Sequence, residues 1–149
     1  MGVKSGPGGS VNIEQRVAAP AEKVSAYVSD FRNAREWMVG VKSVERLGED
    51  AYRLALDSPI GRIEPEVRIV EHTPGSIRWV YTSTIEGGGR VAVSPDADGG
   101  CLVSYAGEFR LKRKFLDRAA RFAGAERFAR TNGERSLARL KYLMEARRY

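Results

Sequence analysis

Between Val11 and Val17 apolar and polar residues alternate, with Val11, Ile13 and Val17 set against Asn12, Glu14 and Arg16. That is the period-two signature of a strand with one buried face, and Gln15 falls on the buried side. Pro20 suits a first helical turn, and Val24, Tyr27, Val28 and Phe31 follow at helical spacing, so a helix is predicted from about Ala21 to Asp30. Asn33 is the predicted N-cap of a second short helix through Arg35, Trp37 and Met38, ending near Gly40. From Val41 onward the pattern turns to strands separated by turn chemistry at Gly48-Glu49-Asp50, Ser58-Pro59-Ile60-Gly61, Thr73-Pro74-Gly75, Glu86 to Gly89 and Pro95 to Gly100. Tyr52, Leu54 and Leu56 share one face, as do Ile63, Val67 and Ile69, then Ile77, Trp79 and Tyr81. Val91 and Val93, followed by Val103, Tyr105, Gly107 and Phe109, continue the same inward row.

A sheet with a single apolar face must cover it. The remaining large element is the C-terminal segment, predicted as a long helix from about Phe115 to Arg148. In it Phe115, Ala119, Phe122 and Ala123, then Leu137, Leu140 and Met144, recur at intervals of three and four. Gly133 interrupts this run, and Thr131 with Glu134 matches a capping box, so a single helix bent near Asn132 is expected. The predicted class is α+β: a curved antiparallel sheet of about seven strands wrapped round a long C-terminal helix, with two short helices after the first strand. Such a sheet and helix enclose a hollow suited to an apolar ligand.

The chain of 149 residues is one domain's worth. Residues 1–10 read as a disordered leader without the apolar core of a signal peptide, and 11–149 as a single domain. A lone cysteine, Cys101, excludes an internal disulfide and a cysteine-rich zinc site and fits a reducing compartment, so a cytoplasmic location is expected. No apolar run approaches the roughly 18 residues of a membrane span. The net charge of +6 is unevenly placed: residues 112–149 carry 12 Lys and Arg against 4 Asp and Glu, and residues 1–111 carry 13 against 15. The basic helix is either an ordinary solvated face or a surface for anionic headgroups, an acidic protein or nucleic acid. Nucleic acid is disfavoured because no aromatics are interleaved with the cations as single-strand binding needs.

Candidate chemistry is thin. Tyr52, Trp79, Tyr81 and Tyr105 have apolar bodies and polar tips on inward faces, and with Gln15, Leu54, Phe109 and Leu140 they form the candidate ligand-binding set. Gly107 in the same row leaves room beside them. No inward Arg, His or carboxylate is predicted, and Asp57 and Glu108 fall on outward faces unless a bulge reverses them. His72 closes a strand at a turn edge. One His and one distant Cys form no metal set, so neither metal nor cofactor is expected. Gly87-Gly88-Gly89 precedes a strand and lacks a following Lys-Ser/Thr, which makes it a hairpin turn and not a phosphate loop. Ser25, Ser43 and Ser104 have no neighbouring His to activate them as nucleophiles, and Cys101 follows a Gly-Gly turn with no obvious basic partner. Trp37 and Met38 are expected either at the cavity mouth or packed on the sheet.

The order of elements, with Val17-Ala-Ala-Pro-Ala-Glu-Lys-Val24, Trp37 and Val41-Lys-Ser-Val44, Ile77-Arg-Trp79, Val103-Ser-Tyr105 to Phe109, and Leu137-Ala-Arg-Leu140-Lys141, resembles a known superfamily. It comprises START-related proteins, birch-pollen-allergen-like proteins and bacterial polyketide cyclase/dehydrases. The resemblance covers nearly the whole chain and implies a helix-grip fold whose cavity binds lipids, polyketides, quinones or other hydrophobic molecules. It does not imply catalysis, because many members only bind. Binding of a hydrophobic small molecule is therefore the first functional expectation. A polyketide cyclase or dehydratase, and an interaction module using the basic helix, are the alternatives.

Overall fold

The computed structural model describes residues 8–112 and 124–146 of the 149-residue chain. The elements are β1 (Gly8–Val17), α1 (Ala21–Ser29), a 3-10 turn (Phe31–Asn33), α2 (Ala34–Trp37), β2 (Val41–Arg46), β3 (Ala51–Ser58), β4 (Gly61–Ile63), β5 (Glu66–Thr73), β6 (Ser76–Tyr81), β7 (Ile85–Pro95), β8 (Cys101–Leu111) and α3 (Ala125–Ala146). The strands form one antiparallel sheet in the order β1-β8-β7-β6-β5-β3-β2, with β4 paired to β3. The sheet is curled, with α3 on its concave face, so the α+β class holds.

The alternation along each strand becomes continuous inward rows across the sheet. Ile13 lies opposite Tyr105, Tyr105 opposite Val91, and Val91 opposite Ile77. Tyr52 lies opposite Val67, which in turn lies opposite Tyr81. The segment carrying Ile63, Val67 and Ile69, expected as one strand, is split at Pro65. Proline has no N–H to give the ladder. Its carbonyl still accepts from Leu54 N at 2.9 Å, and the pairs Leu56–Ile63 and Tyr52–Val67 keep one register through the break. A bulge falls between Ile69 and Glu71, leaving Val70 40% exposed and His72 on the surface. The Glu108 segment has no such shift, and Glu108 stays exposed on the outer face.

Three sequence expectations are corrected. β1 begins at Gly8 and pairs Gly8, Gly9 and Ser10 with Arg110, Phe109 and Glu108, so these residues belong to the sheet and not to a leader. Asn33 sits at the N-cap position of α2 but makes no side-chain cap. Its amide instead donates to Tyr27 O at the end of α1, at 2.9 Å, and Asp30 caps the preceding turn by accepting from Arg32 N at 3.1 Å. Gly87-Gly88-Gly89, expected as a hairpin turn, lies within β7 and pairs with β8, whereas the single helix expected across Gly133 is kept, α3 running unbroken from Ala125 to Ala146. The expected helical residues Phe115, Ala119, Phe122 and Ala123 lie outside the described residues, as does Arg148.

The core is built where α3 meets the sheet and the α1 corner. Leu137 and Leu140 are 1% and 0% exposed and join Val17, Val24, Val28, Val91, Val103 and Met144 in one cluster. One polar contact fixes the helix against the α2–β2 connection: buried Ser136 Oγ accepts from Val39 N at 2.8 Å and donates to Asn132 O at 2.6 Å. Replacing Ser136 with Ala leaves the half-buried Val39 N–H without its partner. Ser136→Ala is therefore expected to lower the unfolding free energy by about 1–2 kcal/mol, measured by denaturant titration.

Candidate functional site

The inward stripe of α3 changes size along its length. Ala125, Ala129 and Gly133, one turn apart, are followed on the same side by Leu137, Leu140 and Met144. The large residues fill the space to the sheet, and the small ones leave it open. The result is a cavity of about 160 Å³ between the first half of α3 and the sheet. Its walls are Leu54, Leu56, Ile63, Trp79, Tyr81, Ile85, Tyr105 and Phe109 from the strands and Phe31 from the 3-10 turn. Trp37 to Val41, the β3–β4 turn at Asp57 to Pro59, and Ala125, Phe128, Ala129, Asn132, Gly133 and Ser136 of α3 complete the lining. Phe128 is 37% exposed and marks the open side. Ile60, at the tip of that turn, is buried against Ala125, with Ile63 and Phe109 packed alongside, and so ties the hairpin to the start of α3.

Glycines shape the aromatic wall. A Cβ at Gly89 would meet Trp79 Cζ2 at 2.4 Å, so the indole lies flat over the β7 backbone. A Cβ at Gly107 would meet the Tyr105 hydroxyl at 2.8 Å, and one at Gly133 would meet Ile13 Cδ1 at 2.5 Å and the Tyr105 ring at 3.4 Å. Trp79 and Tyr105 stack with centroids 6.4 Å apart, and the tilted Phe31 ring lies 5.3 Å from Trp79. The glycine at mid-helix costs about 1 kcal/mol of helix propensity. Its structural return is the close approach of α3 to Ile13 and Tyr105.

Of the residues singled out in sequence, Leu54, Trp79, Tyr81, Tyr105 and Phe109 line the cavity. Tyr52 stands behind the wall, its ring 5.2 Å from Phe31, and Leu140 lies in the solid core beyond it. Gln15 is half-buried on β1, away from the cavity, and its amide donates to Arg16 O at 3.0 Å. Trp37 and Met38 both border the cavity. The sequence reading missed Phe31 and the contributions of the loops and of α3. For α3 the signal was present as the run of small residues Ala125, Ala129 and Gly133 at four-residue spacing.

The interior is electrically quiet. Burial pushes the Tyr81 phenol up, against a smaller lowering by the Trp79 indole N–H beside it, and burial with the neighbouring Tyr81 pushes Tyr105 up further. Both rings keep some accessible surface because they face the cavity, while their hydroxyls are desolvated. At neutral pH they are hydrogen-bonding phenols, not bases. Asp57, the one carboxylate among the described residues that line the cavity, is engaged by Arg62 at 3.3 Å and Lys42 at 3.6 Å. Cys101 is buried away from the cavity, with its thiol pushed up chiefly by burial. Among the described residues, no three His, Cys, Asp or Glu side chains come together as a metal site, and no helix is long and apolar enough to cross a membrane.

This arrangement of hollow, sheet and helix coincides with a sequence match across residues 9–145 to the family described as polyketide cyclase / dehydrase and lipid transport. The chain belongs to that family. The family supports a role in binding hydrophobic ligands or in polyketide cyclase/dehydrase chemistry. No curated protein matches the sequence. The fold is shared with a START superfamily protein from Mycobacterium smegmatis (TM-score 0.72, 16% identity, 92% of this chain and 97% of that one). It is also shared with the Zhui aromatase/cyclase from Streptomyces sp. R1128 (TM-score 0.75, 15% identity, 95% and 96%). The di-domain aromatase/cyclase BexL of the BE-7585A biosynthetic pathway matches over half its length (TM-score 0.70, 21% identity, 95% and 51%).

Two predictions follow from the site's construction. Gly89→Ala forces the rigid Trp79 ring from its seat and is expected to destabilise the fold by about 1–3 kcal/mol, with a changed tryptophan emission, read by denaturant titration and fluorescence. The raised phenols also give a pH dependence. Their stabilising contribution is complete below the unfolded tyrosine pKa of about 10 and is lost as pH rises toward the higher folded values. Unfolding midpoints should fall on raising the pH above about 10, and fall less in the Tyr81→Phe/Tyr105→Phe double variant.

Proposed function

We propose that the chain captures a small, largely apolar molecule of lipid, polyketide or quinone type in the cavity between sheet and α3. Leu54, Trp79, Tyr81, Tyr105 and Phe109 are its wall contacts. The observation that carries this reading is a hollow walled almost entirely by apolar and aromatic side chains, with the Tyr81 and Tyr105 hydroxyls and the Trp79 N–H beside it. A few placed polar groups in an apolar pocket orient a ligand without demanding that it be charged. At about 160 Å³ the cavity is close in size to engineered holes that accept a benzene ring. It suits a molecule of one or two rings, or one end of a longer molecule that leaves past Phe128. Tyr52 and Leu140 act in this reading as backing, the first by holding Phe31 and the second by closing the core, and Gln15 takes no part. The buried single thiol is compatible with the cytoplasmic setting this reading assumes.

A cyclase or dehydratase would need a proton acceptor within reach of the bound carbon chain. The interior phenols are held protonated and Asp57 is committed to two cations at the rim, so capture is favoured over catalysis.

Native mass spectrometry of protein purified without detergent, followed by organic extraction, tests this directly. A defined hydrophobic adduct is expected, and Ala129→Trp, which fills the cavity, should abolish it. Tyr105→Phe should weaken a carbonyl-bearing ligand about threefold to tenfold, the worth of one hydrogen bond, while sparing a pure hydrocarbon. A bare mass together with no thermal shift across lipids, polyketides and quinones would overturn the reading.

A further inference from the structure

The cations of α3 are not distributed like those of an ordinary solvated helix. Lys141 is paired with Glu145 at 2.6 Å, four residues on. Arg130 has Glu126 and Glu134 one turn away on either side. Arg135 and Arg139 differ: their helical neighbours at three and four residues within α3 are Thr131, Asn132, Ser136, Ala138, Tyr142, Leu143 and each other, with no carboxylate among them. Both are exposed, and neither makes an ion pair among the described residues. Two like charges four residues apart repel, and nothing on the helix offsets that repulsion. On the same stripe, at 3.6 residues per turn, stand Phe128 and Tyr142, which are 37% and 72% exposed. Phe128 is also part of the cavity's open side, with Asn132 beside it.

We propose that this stripe docks on an anionic lipid surface with the cavity mouth turned toward it. Arg135 and Arg139 meet the headgroup phosphates, and Phe128 and Tyr142 settle at the level where amphipathic rings favour the interface. The choice of a lipid surface over another polyanion rests on the proposed function, because a bilayer supplies negative charge outside and an apolar molecule to load through the same opening. A nucleic acid would satisfy the arginines and leave the apolar mouth without a role.

The experiment is vesicle flotation of the full chain with phosphatidylcholine alone and with about one-third phosphatidylglycerol. Binding is expected only to the anionic vesicles and should be lost between about 0.05 and 0.5 M salt. Arg135→Gln/Arg139→Gln should lower the partition coefficient about 25-fold, since each surface cation contributes about a fivefold effect. Arg78→Gln, on the outer face of the sheet, should leave it unchanged. A Phe128→Trp reporter should shift its emission to the blue on anionic vesicles. The double arginine variant should retain the ligand adduct seen by native mass spectrometry, because neither residue lines the cavity, so a failure of docking is distinguishable from a failure of ligand capture. Equal binding to neutral vesicles, an unaffected double variant, a Phe128→Trp emission that does not move, or tighter binding to duplex DNA or an acidic polypeptide than to anionic vesicles would each overturn the proposal.

Discussion

Everything in this molecule depends on how closely α3 approaches the concave face of the sheet. In the second half of the helix, Leu137, Leu140 and Met144 press into a core shared with β1, β8 and the α1 corner. That contact is dry and dense, and it fixes the helix axis. Gly133 stands at the transition, where the missing Cβ lets Ile13 and Tyr105 come up against the helix backbone. Beyond it toward the N-terminus, Ala129 and Ala125 carry only a methyl group toward the sheet, and because the axis is already set, the gap does not collapse. A cavity in a well-packed protein normally costs stability in proportion to its volume. Here it persists because the surrounding elements are held apart by contacts made elsewhere: Ile60 against Ala125 at one end and Ser136 with Val39 at the side.

The sheet makes the complementary arrangement. Glycines at 89 and 107 stand where the inward row would otherwise carry side chains, and the volume they give up is occupied by the Trp79 ring and the Tyr105 hydroxyl. Large aromatics are thus laid along the wall instead of projecting across the hollow. Bulk on the wall and absence of bulk on the helix are two parts of one device, and neither alone would produce a space of defined shape.

Much of this was legible in the chain. Period-two alternation placed Leu54, Trp79, Tyr81, Tyr105 and Phe109 on a common face, and the structure brings all of them to the cavity. Alternation reports a face and not a depth, however. Tyr52 and Leu54 share their face two residues apart, but Phe31 is interposed before Tyr52, and nothing local in β3 encodes the position of a ring from the α1–α2 corner. Gln15 shows the same limit on β1, where the inward face passes beyond the cavity. Residues from connections, such as Val39, Gly40 and Pro59, carry no periodicity and were invisible to it. Pro65 divides into β4 and β5 what the alternation read as one strand, because the lost donor interrupts the ladder without altering the register.

The distribution of charge then separates two tasks. Inside, the polar groups on the aromatic wall are phenols that burial keeps protonated and an indole N–H, so that wall offers hydrogen bonds without net charge. A charged group placed there would face a desolvation cost of several kcal/mol with no partner to offset it. Among the described residues no Lys or Arg lines that space; Lys42 and Arg62 are neutralised by Asp57, and Arg135 and Arg139, on the stripe of α3 that begins at Phe128, make no ion pair. An apolar interior reached through a cationic, aromatic margin favours ligands that arrive from an anionic, apolar phase over ligands already free in water. That asymmetry follows from the sequence of one helix, whose inward stripe runs from small to large while its mouthward stripe sets Arg135 and Arg139, without an ion pair among the described residues, between the rings of Phe128 and Tyr142.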